Sequence, residues 1–226
     1  MRIAVFGTGM VGQALAARLA ELGHDVMVGT RDVAQALARK EPDSRGTPGF
    51  GAWHAGHPKV RVGTLPEAGA HGEILVNATS GSAALEVLRQ AGAERLSGKA
   101  LIDVANPLDF SKGMPPTLSV CNTDSLAEQI QRAFPALKVV KALNTTNASV
   151  MANPAAVGDG NHTLFVCGND AGAKATVTEL VHSFGWKDVV DLGDITAARG
   201  TEMLLPLWLR LYGVLKTPLF NVKVVR

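Results

Sequence analysis

The residues whose spacing most plainly carries chemistry are Gly7, Thr8, Gly9, Met10, Val11 and Gly12, a Gly-x-Gly-x-x-Gly run close to the start of the chain. They follow the apolar stretch Arg2–Phe6 directly and open a stretch with helical spacing. In that setting Gly7 allows a tight turn, Gly9 lets the backbone approach a pyrophosphate, and Gly12 lets the helix sit close to the strand. The start of the helix adds free N–H groups and a positive dipole end for phosphates. A tight turn without a ligand would use the same glycines, but the strand before and the helix after favour a dinucleotide.

The end of the second strand separates two dinucleotides. An NAD site places a carboxylate there for the ribose 2′-hydroxyl, and that carboxylate repels a 2′-phosphate. This chain has Thr30 and Arg31, a hydroxyl and a guanidinium that suit a phosphate and so point to NADP. Asp32 is the awkward neighbour, because turned inward it would favour NAD. Arg39 and Lys40 are expected on a solvated helix face.

Ligands of such sheets sit beyond the carboxyl ends of the strands. Three of those ends carry small or neutral polar residues: Asn77-Ala-Thr79-Ser80-Gly81, Asn106-Pro107 and Asn144-Thr-Thr-Asn147. They suit a nicotinamide and its ribose, although the same residue types dominate ordinary loops. No acid–base set stands out. His54 and His57 lack further clustered ligands for a metal, and His162 and His182 read as ordinary loop or surface residues. Hydride transfer between two bound cofactors needs positioning more than proton chemistry, and fits best.

The elements that would hold these residues alternate. A βαβ unit is expected over 2–29, then a short helix after Asp32. Residues 41–57 lack any period and are expected to be a surface loop or insertion. Further strands are expected at Val60–Gly63, Ile74–Ala78, Ala100–Val104, Val139–Leu143, Leu164–Cys167 and Val189–Leu192. Helices are expected near 83–96, after a Ser125 cap with Glu128 in capping-box spacing, and after an Asp170 cap up to Gly185. The fold class is therefore α/β, a doubly wound, mainly parallel Rossmann sheet with a C-terminal helical extension. Residues 1–194 form the NADP-binding domain, and 195–226 pack on it or on a partner subunit. The stretch Met203–Leu215, interrupted by Pro206, has no clear polar face and is expected to be buried, against the sheet or in a homodimer. Residues 220–226 are expected to finish as a strand.

Composition narrows the partners. A formal net charge of +2 is too balanced for a nucleic-acid surface. The apolar run 203–209 is too short to span a bilayer, so no membrane partner is expected. Cys121 and Cys167 form no disulfide framework, and the first strand leaves no room for a leader, so a cytoplasmic location is expected.

The start MRIAVFGTGMVGQALAARLAELGHDVMVGTRD, with KALNT (141–145), FVCGND (165–170) and DLGDITAARGTEMLLPLWLRL (191–211), resembles the NADPH-dependent reductases of the deazaflavin coenzyme F420. The resemblance covers nearly the whole chain. It implies a Rossmann domain, NADP held by the 7–12 turn with Thr30 and Arg31, and a second cofactor stacked beside the nicotinamide. In that family a His-Thr-Ile-Pro segment faces the deazaflavin, and this chain departs there with Asn144-Thr145-Thr146-Asn147. The family is similar in turn to the cytoplasmic reductase domain of the six-transmembrane metalloreductases. The expectation is an NADPH-dependent oxidoreductase acting on F420 or a flavin-like acceptor, with Thr79, Ser80, Asn106, Ala142 and Asn144 lining the nicotinamide end. A small imine or carbonyl reductase, or a non-catalytic NADP sensor, are the alternatives.

Overall fold

The computed structural model describes residues 1–44 and 46–226. β1 (Arg2–Phe6), α1 (Met10–Glu21) and β2 (Asp25–Thr30) form the opening βαβ unit. α2 (Val33–Ala38), α3 (Phe50–Ala55), β3 (Arg61–Thr64), α4 (Leu65–His71) and β4 (Ile74–Asn77) follow. Next come α5 (Ala84–Ala91), α6 (Ala93–Leu96), β5 (Ala100–Asp103) and a two-stranded ribbon of β6 (Leu108–Asp109) and β7 (Thr117–Leu118). α7 (Leu126–Ala133), β8 (Lys138–Ala142), α8 (Ala148–Ala152), β9 (Thr163–Gly168), α9 (Ala171–Phe184) and β10 (Asp188–Asp191) complete the sheet and its helices. α10 (Ala198–Met203) and α11 (Leu205–Leu215) lead to the C-terminal tail.

The main sheet runs β10-β9-β8-β5-β4-β1-β2-β3, parallel except between β8 and β9. Strand order reverses between β1 and β4, so the switch-point crevice opens beyond Phe6 and Asn77. The inner strands are apolar on both sides because helices cover both faces. Leu15, Val150 and Val177 bring α1, α8 and α9 onto one face. Ala68, Leu88 and Ile130 bring α4, α5 and α7 onto the other.

Local signals act where expected at Ser125, whose hydroxyl accepts the Glu128 N–H at 3.1 Å, and at Asp170, which accepts the Ala173 N–H at 2.7 Å. The helix expected over 83–96 divides at Gly92, whose φ of +93° breaks the α-helical path. The 41–57 segment, of which Arg45 lies outside the described residues, is not wholly loop. It contains α3, anchored by a Phe50 buried in the core, and six residues are too few to display a period.

Of the two places expected for the C-terminal extension, the sheet covers only its first part. Ile195, Ala198 and Leu205 are buried, but Leu207 is 54% exposed, Val214 78% and Leu215 50%. By the time the chain reaches α11, both faces of the sheet already carry their helices, so no layer remains to cover it. Trp208 instead stacks on Tyr212 and Phe220, with ring centroids 5.7 and 5.0 Å away. Residues 220–226 form no strand. They are held by the Thr163 N–H on the Val222 carbonyl and by Asn221 Nδ2 against the buried His162 ring. His162 is therefore a packed tail anchor rather than an ordinary loop residue.

Asp188 clamps the same tail, accepting from Thr163 Oγ1 at 2.6 Å, Lys223 Nζ at 3.0 Å and Arg226 Nη2 at 2.9 Å. Those three donors lower its carboxyl to about 2. A folded value below the unfolded one gives stability present above the ordinary aspartate range and lost as pH falls through about 2. The Val224 and Val225 methyl signals should therefore mark a tail release centred near that pH. Asp188→Asn should release the tail at neutral pH, seen as faster trimming by carboxypeptidase. An acid transition unchanged by the substitution would disprove the clamp.

Candidate dinucleotide site

The turn between β1 and α1 is closed at two glycines and open at the one between. A Cβ on Gly7, whose φ is +126°, would lie 2.4 Å from the Ala78 carbonyl oxygen at the end of β4. A Cβ on Gly12 would lie 2.1 Å from the Gly7 oxygen. At Gly9 nothing stands within 4 Å. Gly9 is also the N-cap of α1, with no side chain capping the first turn, so the N–H groups there remain available to an anion. Gln13, buried in α1, donates to the carbonyls of Thr8 at 3.1 Å and Pro48 at 3.0 Å, tying the turn to the 41–57 segment.

Beside this cradle the structure gathers cations. Arg31 is exposed past the end of β2. Asp32 is turned away: its Oδ1 accepts the Gln35 N–H at 2.8 Å and caps α2. Arg39 is exposed, as expected, but it is not free. It ends α2, and its Nη2 donates to Thr8 Oγ1 at 2.6 Å, which brings a second guanidinium to the glycine turn. Lys40 goes elsewhere, to the Gly51 carbonyl. Spacing gives no sign of Arg39's placement, because it depends on α2 being short enough for its end to return to the turn.

The other expected residues are spread over three neighbouring strand ends. Thr79 is half-buried, with Oγ1 on Asn77 Oδ1 at 2.7 Å; Ser80 is exposed and bonded to Ser82. Asn106 and Asn144 come together: Asn106 Nδ2 donates to the Asn144 carbonyl and Asn144 Nδ2 to Asn106 Oδ1, both at 2.9 Å. Asn144 also donates to the Thr201 carbonyl at 3.1 Å and is only 2% exposed. Ala142 departs from expectation, since it is fully buried in the core on the α1 side rather than open at the strand end. Parallel-strand alternation turns its methyl inward while the polar residues beyond it reach the edge.

Asn77, expected at a strand end, belongs to a set whose other members, Asp103, Lys141 and Glu202, were not among the expected residues. Asn77, Asp103 and Lys141 are register partners across β4, β5 and β8, so they stand side by side on one face of the sheet. Lys141 Nζ lies 2.8 Å from Asp103 Oδ2 and 2.8 Å from Glu202 Oε1, and all three side chains are shielded from solvent. Burial draws the Lys141 ammonium down, but the two carboxylates outweigh it and hold the group above the ordinary lysine range. Burial likewise lifts Glu202 above the ordinary glutamate range, against the pull of Lys141 and the Leu126 N–H. The legible signal was a lysine and an aspartate inside otherwise apolar central strands. Next in the same row, burial pushes the Cys167 thiol up to about 12, so it is no thiolate nucleophile. Among the described residues no group of three or more His, Cys, Asp or Glu side chains could hold a metal, and no helix is long and apolar enough to cross a membrane.

The model of the family described as NADP oxidoreductase, coenzyme F420-dependent, matches residues 2–107. A solved protein from Arthrobacter sp. FB24, provisionally assigned as an F420-dependent NADP reductase, is 56% identical over 100% of both chains with a TM-score of 0.96. An F420-dependent NADP reductase of Methanocaldococcus jannaschii is 28% identical over 92% of this chain and 90% of its own. A metalloreductase of Rattus norvegicus is 36% identical over 51% of this chain, a match that spans 22% of that protein's length.

Proposed function

We propose, for a chain that belongs to the coenzyme F420-dependent NADP oxidoreductase family and is accordingly an NADP-dependent oxidoreductase, that it passes hydride between NADP(H) and a deazaflavin or flavin-like acceptor. The observation that carries the cofactor site is the contrast at the glycine turn: Gly7 and Gly12 are sealed by backbone, and Gly9 is open above the first turn of α1. Backbone N–H groups over 8–12 would hold the pyrophosphate, with Met10 and Val11 against the ribose. Thr30 and Arg31 would take the 2′-phosphate, and Arg39, already at Thr8, would extend that field. Thr79, Ser80 and Asn106 would border the nicotinamide, with Asn144 and Ala142 supporting them from behind.

When bound, NADPH supplies the hydride. That hydride, with a proton from solvent, would reduce the acceptor by two electrons and leave NADP+. Asp103, Lys141 and Glu202 are committed to one another. That favours this reading over reduction of an imine or carbonyl, which wants a proton donor beside the ring.

The exposed apolar side chains of α11 support a homodimer through 195–226, which would cover Leu207, Val214 and Leu215. The two cysteines are free, which fits a cytoplasmic location. The purified protein should oxidise NADPH, and NADH far more slowly, when given F420, and absorbance of the reduced nicotinamide reads the result. Flavin and ferric acceptors are the comparison arms. Tight NADPH binding without oxidation by any of them would overturn hydride transfer and leave the sensor reading.

A further inference from the structure

Three strand ends border the proposed nicotinamide end, and each connects to one buried cation. Thr79 Oγ1 donates to Asn77 Oδ1, and Asn77 Nδ2 donates to Asp103 Oδ1 at 2.8 Å. Asp103 Oδ2 accepts from Lys141 Nζ at 2.8 Å. Lys141 also donates to the carbonyl of Ala105, the residue before Asn106. Its remaining partner is Glu202, next to Thr201, whose carbonyl takes the Asn144 amide. Glu202 accepts the N–H groups of Leu126 at 2.9 Å and Ala127 at 3.2 Å, so the start of α7 joins the same assembly.

Stability alone is a weak reason for this arrangement. Taking three charges out of water is expensive, and apolar residues of similar volume often serve as well or better. Ions and their hydrogen bonds give something apolar packing does not: connections of fixed length and direction between separate elements. Here those connections join β4, β5, β8, α7 and α10. The adenosine half of the proposed site is built on β1, β2 and the end of α2, outside the network.

We propose that Lys141, with Asp103 and Glu202, is the positioning hub of the nicotinamide end, setting the relative placement of the Thr79, Asn106 and Asn144 strand ends. The proposal rests on the NADP reading above. It predicts a split between the two halves of the cofactor that a general loss of stability would not produce.

Lys141→Met would leave Asp103 and Glu202 buried and uncompensated, and is expected to fold poorly. Two other variants avoid that. Glu202→Gln keeps the volume and the Lys141–Asp103 pair. The triple variant Asp103→Asn, Lys141→Met, Glu202→Gln removes every charge at once. Titration with 2′,5′-ADP reads the adenosine half, and NADPH reads both halves, with the anisotropy of nicotinamide fluorescence reporting the ring itself. Both variants should hold 2′,5′-ADP within about twofold of the parent and weaken NADPH roughly tenfold, the scale of one misplaced hydrogen bond. The anisotropy of the bound ring should fall. Equal weakening of the two ligands in step with a lower Tm, or no weakening of NADPH, would overturn the proposal. A parent protein that takes up neither ligand is a separate result: it overturns the NADP reading, and this one with it.

Discussion

Gly9→Ala is expected to fold as the parent does while binding NADPH roughly a hundredfold more weakly, whereas Gly12→Ala loses both stability and binding. The structural side of this contrast follows from space. Gly9 has φ −85° and ψ −172°, an extended conformation that alanine adopts freely, and nothing lies within 4 Å of the position its Cβ would take. Alanine is a poorer N-cap than glycine, yet it also restricts the unfolded chain. The two effects oppose each other, so Tm should move by no more than about 3 °C. At Gly12 the added Cβ would sit 2.1 Å from the Gly7 carbonyl oxygen, and α1 could accept it only by moving off the sheet. That overpacking costs about 1–3 kcal/mol or more.

The binding side follows from what the open space is for. A methyl on Gly9 would stand where a pyrophosphate meets the first turn of α1. Displacing the phosphate by a methyl's width forfeits one or two charge-assisted hydrogen bonds, about 1.5–3 kcal/mol each. With 1.4 kcal/mol per tenfold, that brackets the hundredfold loss. Isothermal titration with NADPH beside thermal melts separates the two variants. A Gly9→Ala protein with unchanged affinity would mean that the cofactor does not lie on this turn.

The opening unit was legible because each level of its sequence agrees with the next: an apolar strand, three glycines at fixed offsets, then Leu15 and Leu19 at helical spacing. The Ser125 and Asp170 caps were legible for the same reason, since a side chain two or three residues from its backbone partner is a local fact. The Thr64–Glu67 capping box that starts α4 is just as local. Pro66 and Gly69 mask it, because they lower the helical character of the seven residues it opens. What could not be read is what depends on register or on where a chain end returns. Asp103 and Lys141 are 38 positions apart, and only the β5–β8 pairing makes them neighbours. Arg39 meets Thr8 only because α2 is short. The exposure of α11 depends on which faces of the sheet were already filled. Local agreement between propensity and pattern says nothing about any of these.

The last prediction concerns the two guanidiniums. Arg31→Ala should raise the Kd for NADPH by about 10- to 100-fold and leave NADH nearly unchanged, because only NADPH carries the 2′-phosphate that a charge-assisted bond would hold. Arg39→Ala should do less to NADPH and something to NADH as well. Its side chain is committed to Thr8 Oγ1 at 2.6 Å, so removing it loosens the turn that serves either cofactor. Asp32→Ala should not exchange one cofactor for the other, since that carboxylate is spent on the Gln35 N–H. It should cost about 1 kcal/mol of stability through the lost cap. Salt supplies an independent check. Arg31 is exposed, so its pull on a dianionic phosphate is screened as ionic strength rises. The NADPH affinity of the parent should therefore fall with added salt more steeply than that of Arg31→Ala, while NADH responds alike in both. Parallel salt curves for the two proteins would remove Arg31 from the phosphate site, and an Arg31→Ala variant that still prefers NADPH by the parent's margin would shift the selection to Arg39.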